Sequence, residues 1–308
     1  MEKIVIIGSG AAGLTAAIYS ARANLKPKVY TGILTGGLLT QTSDVENYPG
    51  FPEAINGFEL MFNFQQQAQR FGAEIINDSI VEVSLTNGGI HKIKTAGGDE
   101  IETEALIIAT GASPRYLGLK NETRLLNHGV SACATCDGAF YRDVPVVVIG
   151  GGDTAMEEAI FLTKFASKVT VIHRRHELRA SKIMAERAMN NEKIEFAWNS
   201  VVEDIVGENE VEGVIIRNVK TDEKSTIECK GYFAALGHIP STNVFKEQLA
   251  MDKNGFIELE AHSSYTSCLG VFGAGDCADH VYRQAITAAG MGCRAAIDAE
   301  RYLQSRES

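Results

Sequence analysis

The sequence has no excess of positive charge, no long apolar run and little cysteine for its length. Its 308 residues carry 29 Lys and Arg against 39 Asp and Glu, a formal net charge of -10. That balance excludes nucleic acid or an anionic membrane as the main partner unless a local basic patch meets it. No stretch is long and apolar enough to span a bilayer. The opening MEKIVIIGSGAAGLTAAIYSARA imitates a signal peptide, with Lys3, an apolar run and Ala21-Arg22-Ala23. Its three spaced glycines are better explained by a nucleotide-binding turn. Of six cysteines, at positions 133, 136, 229, 268, 277 and 293, only Cys133 and Cys136 are close together. This is not a disulfide scaffold, and a reducing, cytoplasmic location is expected. There is no low-complexity linker and no repeat shorter than a domain.

What is abundant is glycine, 30 residues, in a chain that is 45% hydrophobic and 22% charged, as soluble globular proteins are. The segment KIVIIGSGAAGLTAAIYSARA reads as buried strand, glycine turn and helix, with a second strand at KPKVY. The same order returns about 140 residues later in VPVVVIGGGDTAMEEAIFLTKFASKVTVIHRR. One βαβ unit used twice predicts an α/β protein with two doubly wound, Rossmann-like dinucleotide-binding domains. The strand at ALIIATGASPRYL marks a crossing, and GYFAALGHIPSTN marks its counterpart. The last strand and helix, from LGVFGAGDCAD onward, lack a nucleotide unit of their own and return to the first domain. The second domain is therefore an insertion, with expected bounds 1–114, 115–244 and 245–308.

Gly8, Gly10 and Gly13 form G-x-G-x-x-G between strand and helix. The first glycine permits the turn, the second admits a pyrophosphate, and the third lets helix pack on strand. Ala11 and Ala12 open a helix whose N-terminal N–H groups face the phosphates. The usual ribose-binding acid is absent, since no Asp or Glu lies between Arg22 and Ser43. Gly150, Gly152 and Ala155 form the second turn, with Asp153 and Thr154 between. There the second strand ends in His173, Arg174 and Arg175, followed by Arg179. Arginines at that place grip a 2′-phosphate where an acid would accept from a free ribose hydroxyl. NADPH at the second turn and FAD at the first is the economical pairing.

Cys133 and Cys136 sit in SACATCDGAF. A zinc site needs two further ligands, and no second C-x-x-C or suitably spaced Cys/His pair exists. A redox dithiol beside two dinucleotide turns is coherent, with Asp137 placed to shuttle the proton of thiol–disulfide exchange. His238 reads equally well as a packed histidine, and the other four cysteines as residues without redox role.

By these residues the chain resembles the bacterial-type, low-molecular-weight thioredoxin reductases over essentially its whole length. The matching segments are GSGAAGLTAAIYSARA, TSDVENYPGFP, IIATGA, VSACATCDGAFYR, IGGGDTAMEEAIFL, VIHRRHELRAS, ALGHIPST and GVFGAGDCADHVYRQAITAAGMG. The resemblance implies an NADPH-dependent flavoprotein that reduces thioredoxin or a thioredoxin-like protein, and a homodimer. It implies that Cys136 lies nearer the flavin, Cys133 attacks the partner disulfide and Asp137 is the general acid. Flavin contacts are implied at Asn47, Asp276, Arg283, Gln284 and Ala285, and the phosphate clamp at Arg174, Arg175 and Arg179. Further cofactor contacts are expected at Gly36, Gly37, Leu38, Thr110, Gly111, His173, Gly237, His238 and Gly275. Leu38 stands where the family's pattern has glutamine.

A hinged rotation of the inserted domain is expected, pivoting near Arg115–Gly118 and Pro240–Val244. The alternatives are the same architecture with another electron donor or a small-molecule disulfide, and a non-catalytic NADP(H)-sensing or zinc-bearing protein.

Overall fold

In the computed structural model, residues 1–42 and 44–307 are described, Glu307 by its backbone only. The chain forms two compact units, one of residues 1–113 with 239–308, the other of residues 114–238.

The first unit is built on a sheet whose parallel strands Glu74–Ile76, Lys28–Tyr30, Glu2–Ile7 and Glu100–Ile108 lie side by side. Val271–Gly273 joins the C-terminal half of Glu100–Ile108 in parallel, and the antiparallel strand His91–Thr95 joins its N-terminal half. The return of Val271–Gly273 to this sheet is what makes the second unit an insertion. Ile4, Ile6, Leu106 and Ile107 are fully buried, each contributing about 1.5–3 kcal/mol of apolar burial. Helix Ala285–Glu307 lies so close to helix Ala11–Arg22 that a Cβ on Gly292 would stand 2.0 Å from Ala12 O. The sequence achieves this with facing alanines and glycine.

In the second unit five parallel strands run in the order Val130–Ser131, Gly231–Ala234, Pro145–Ile149, Lys168–His173, Ile194–Trp198. Their PVVVI- and KVTVIH-type runs are buried on both faces, as parallel strands require. A three-stranded antiparallel sheet, Ser200–Val206, Gly213–Asn218 and Lys224–Glu228, is added. No helix is long and apolar enough to cross a membrane among the described residues.

The second crossing falls at 238/239, so residues 239–244, expected in the inserted domain, belong to the first unit. The cause is packing: Phe245 is fully buried, Thr242 Oγ1 donates to Gly255 O at 2.6 Å, and Ser241 N donates to Gly111 O at 2.9 Å. The expected pivots are pinned for part of their length. Leu117, Gly118 and Leu119 N–H groups all donate to the Glu122 carboxylate within the second unit.

Candidate active site: two nucleotide turns and a dithiol

The three glycines of the first turn face different surroundings. Gly8 has φ +107°, and a Cβ there would stand 2.2 Å from Ala109 O; one on Gly13 would stand 1.9 Å from Gly8 O. Those two glycines are demanded by the protein itself. Gly10, the N-cap of helix Ala11–Arg22, has nothing within 4 Å of where its Cβ would be. Only the second glycine opens onto free space, as pyrophosphate approach requires. Ala11 and Ala12 are buried at the helix start. Ser9 was not anticipated: its hydroxyl accepts from Gly36 N at 2.9 Å and donates to Thr31 O at 3.3 Å. It thereby draws Gly36 and Gly37 toward the turn, and a Cβ on Gly37 would come within 3.0 Å of Gly10 Cα. Leu38 is exposed on the following short helix Leu38–Gln41.

Two expected cofactor residues far apart in sequence meet here, Asn47 Nδ2 donating to Gln284 Oε1 at 3.3 Å. Gln284 and half-buried Arg283 precede Ala285, the first residue of the last helix. Asp279 shapes this approach, its carboxylate accepting from Val281 N (2.9 Å), Tyr282 N (3.0 Å) and Arg283 N (3.4 Å). Asp276 is partly buried next to Gly275, and burial with the nearby Asp279 charge pushes its carboxyl up to about 6, opposed by Arg283. A polar ligand that donates to this carboxylate relieves that cost. Thr110, beside Gly111, has a buried hydroxyl with no hydrogen bond among the described residues. The open space at Gly10 and this orphaned hydroxyl fit a polar cofactor.

The second turn repeats the division of labour. A Cβ on Gly150 would meet Ala235 O at 2.6 Å and Ala155 Cβ at 2.7 Å, while Gly152 has nothing within 4 Å. Ala155 is fully buried, and Thr154 is half-buried on the first turn of helix Asp153–Leu162. Asp153 Oδ1 accepts from Ser181 N at 2.8 Å, which holds its carboxyl below the usual range. Arg174, Arg175 and Arg179 are exposed, and no ion pair among the described residues engages them. His173, by contrast, is buried. Gly237 and His238 are half-buried at the end of this unit.

Cys133 and Cys136 form a disulfide, with Cα atoms 5.3 Å apart, across the four-residue helix Ala134–Asp137. Ala134, fully packed in the core of the unit, anchors the turn. Cys136 is exposed and Cys133 half-buried. Asp137 is largely buried, and burial pushes its carboxyl up while a hydrogen bond from Ser131 pulls it down. Burial also pushes the Tyr116 and Tyr141 hydroxyls up to about 12, with Glu122 and Asp137 as a secondary cause at Tyr116 and Asp137 at Tyr141. Tyr116, Tyr141 and Ser131 are thus neutral neighbours of an acid biased toward its protonated form. Cys229, Cys268 and Cys277 are buried free thiols, and Cys293 is half-buried.

A pyridine nucleotide-disulphide oxidoreductase family model matches residues 2–292. The chain belongs to this family. Within the pyridine nucleotide-disulphide oxidoreductases it is similar to the thioredoxin reductase of Streptomyces coelicolor, 53% identical over 304 residues, covering 98% of this chain and 94% of that one. It is 50% identical over 303 residues to the bifunctional thioredoxin reductase/thioredoxin of Mycobacterium leprae, covering 98% of this chain and 66% of that one. Among solved structures, the thioredoxin reductase from Giardia duodenalis has a TM-score of 0.93 at 44% identity, with 98% of each chain covered. Members of this oxidoreductase family use a pyridine nucleotide and a disulfide, and each unit here supplies a nucleotide turn while the second also carries the cysteine pair.

Proposed function

We propose that the protein is an NADPH-dependent flavoprotein disulfide reductase acting on thioredoxin or a thioredoxin-like protein. The observation that carries it is the Cys133–Cys136 disulfide with an acid biased toward protonation next in sequence, in a unit that also bears an arginine-flanked nucleotide turn. The thioredoxin reductase relatives support the substrate, and the Mycobacterium leprae relative is named for both activities in one chain.

Gly10 and Gly37 would give FAD backbone access, with Asn47, Thr110, Asp276, Arg283, Gln284 and Ala285 around it. Gly152, Arg174, Arg175 and Arg179 would hold NADPH. FAD, when bound, relays the electron pair of a hydride from NADPH to the disulfide. Two electrons break the Cys133–Cys136 bond, and the sulfurs take up protons to give the dithiol. The Cys133 thiolate attacks one sulfur of the partner's disulfide, forming a mixed disulfide and releasing the partner's other sulfur as a thiolate. Asp137 gives that thiolate its proton. Cys136 then attacks Cys133 Sγ, restoring the internal disulfide and freeing the partner's second thiolate.

The homodimer that the resemblance implies is supported by large apolar side chains exposed on the first unit. Phe58 and Phe62, stacked at 6.3 Å, are 61% and 48% exposed. The expected location is the cytoplasm.

Purified, flavin-loaded protein given NADPH should reduce thioredoxin, and Cys136→Ser should stop it while leaving the flavin bound. Turnover with a small disulfide but none with any thioredoxin would favour the alternative substrate class.

A further inference from the structure

The residue between the two glycines of the second turn is itself glycine, which a dinucleotide turn does not require. At the first turn this place is held by Ser9, whose hydroxyl ties the turn to Thr31 and Gly36, just beyond strand Lys28–Tyr30. At the second turn the link is made from the opposite side. His173, the last residue of strand Lys168–His173, lays its ring against Gly151, where a Cβ would stand 2.3 Å from the ring. The ring is 5% exposed and sits edge-on to Trp198 at 6.3 Å. Its Nε2 lies 3.0 Å from Glu177 O. A carbonyl oxygen only accepts, so Nε2 carries the proton.

The segment that follows is closed around this ring. Gly151 O accepts from Arg179 N at 2.7 Å and Ala180 N at 3.1 Å, and Arg175 O accepts from Asn199 N at 3.1 Å. The segment's backbone is therefore fixed at both ends and in the middle, while its three guanidinium groups stay exposed. Burial holds the His173 imidazolium unfavourable, and the charges of Arg179, Arg175 and Arg174 reinforce this. The ring stays a neutral donor and adds no fourth charge to the cluster.

We propose that His173 is a positioning residue for recognition of the 2′-phosphate: through Gly151 and Glu177 it fixes the loop that presents Arg174, Arg175 and Arg179. Its burial makes it a part of the loop's frame, in place of the direct cofactor contact expected from sequence. Three long side chains sharing one anion lose rotamer freedom on binding, so a loop already fixed leaves more of the charge-assisted attraction as affinity. The inference rests on the NADPH reading of this turn.

The test is calorimetric titration of the flavin-loaded protein with adenosine 2′,5′-bisphosphate and, in parallel, with AMP. His173→Ala and Gly151→Ala, the latter forcing the ring aside, should each cut the preference for the bisphosphate about tenfold, the effect of one lost hydrogen bond's worth of order. The double variant should lose no more than either single one, because both break the same contact. His173→Gln, whose amide can donate to Glu177 O, should restore most of the preference. Equal weakening of both nucleotides, or additive losses, would overturn the positioning role. Should the combined Arg174→Ala, Arg175→Ala variant keep the preference, the NADPH reading itself fails, and the proposal with it.

Discussion

Ser131 Oγ donates to Asp137 Oδ2 at 2.5 Å and accepts from the main-chain nitrogen of Cys133 at 3.0 Å. One hydroxyl thus joins the carboxyl of Asp137, the proposed proton donor, to the backbone of Cys133, the proposed attacking cysteine. Burial raises the Asp137 pKa and this hydrogen bond opposes the rise. Ser131→Ala removes the opposing influence, so the pKa should climb further. The acid then stays protonated to higher pH, and the alkaline limb of the pH profile for thioredoxin reduction should move upward. A limb that stays in place would show that Ser131 does not govern this acid.

Asp137→Asn separates catalysis from stability. A carboxyl with a folded pKa above its unfolded value favours folding while protonated, and that stability is lost as pH rises from the unfolded pKa through the folded one. At neutral pH the native protein bears this cost, and asparagine does not. The variant should melt at a higher temperature than the parent at pH 7, while thioredoxin reduction slows about 100-fold or more. A lower melting temperature would mean that the carboxylate is stabilised by its site.

The first turn predicts opposite outcomes for two neighbouring glycines. Gly8→Ala forces a side chain at φ +107° into Ala109 O at 2.2 Å, which should cost about 2–4 kcal/mol in urea denaturation. Gly10→Ala meets nothing in the protein, so with flavin removed from both proteins its urea midpoint should lie near the parent's. It should instead purify with much less flavin, read from the visible absorbance. Full flavin content in Gly10→Ala would remove this turn from the FAD site.

Glu122 is 1% exposed, and its carboxylate accepts from Leu117 N, Gly118 N, Leu119 N and Tyr232 OH. Glu122→Ala leaves these donors without their acceptor and should destabilise the protein by about 3 kcal/mol or more. Tyr232→Phe removes one bond and should cost about 1–2 kcal/mol. Chemical denaturation compares the two, and similar losses would mean that the main-chain donors find water.

Glycine spacing made the two turns legible because Gly13 against Gly8 O and Gly150 against Ala155 are contacts local to a βαβ unit, and the recurrence of that unit made the inserted arrangement legible. The dithiol and Asp137 were legible because they are adjacent. Ser9, Asp279, Ser131, Gly151 and Glu122 were not read. For Ser9, Gly151 and Glu122 the role depends on a partner that only folding brings near, as Tyr232 comes to Glu122. Asp279 and Ser131, by contrast, are common residue types whose turn hydrogen bonds to near neighbours leave no mark in the sequence pattern. The crossing at 238/239 was displaced for the same reason, since the side chain that claims it, Phe245, lies beyond the crossing. The alternation in HKIKT, buried at every second residue, was a readable sign of the added antiparallel strand His91–Thr95.

The size of the ring closed by Cys133 and Cys136 has a consequence for the economy of the fold. With a sequence separation of only 3, the bond restrains the unfolded chain by on the order of 2 kcal/mol, against about 4.7 kcal/mol for a loop of 100 residues. The buried methyl of Ala134 and the main-chain bonds from Cys136 N and Asp137 N to Cys133 O hold the turn without it. Opening the bond therefore gives up less than half the restraint that a loop of 100 residues would lose. Such a pair can cycle at every turnover without the molecule loosening as far each time it is reduced.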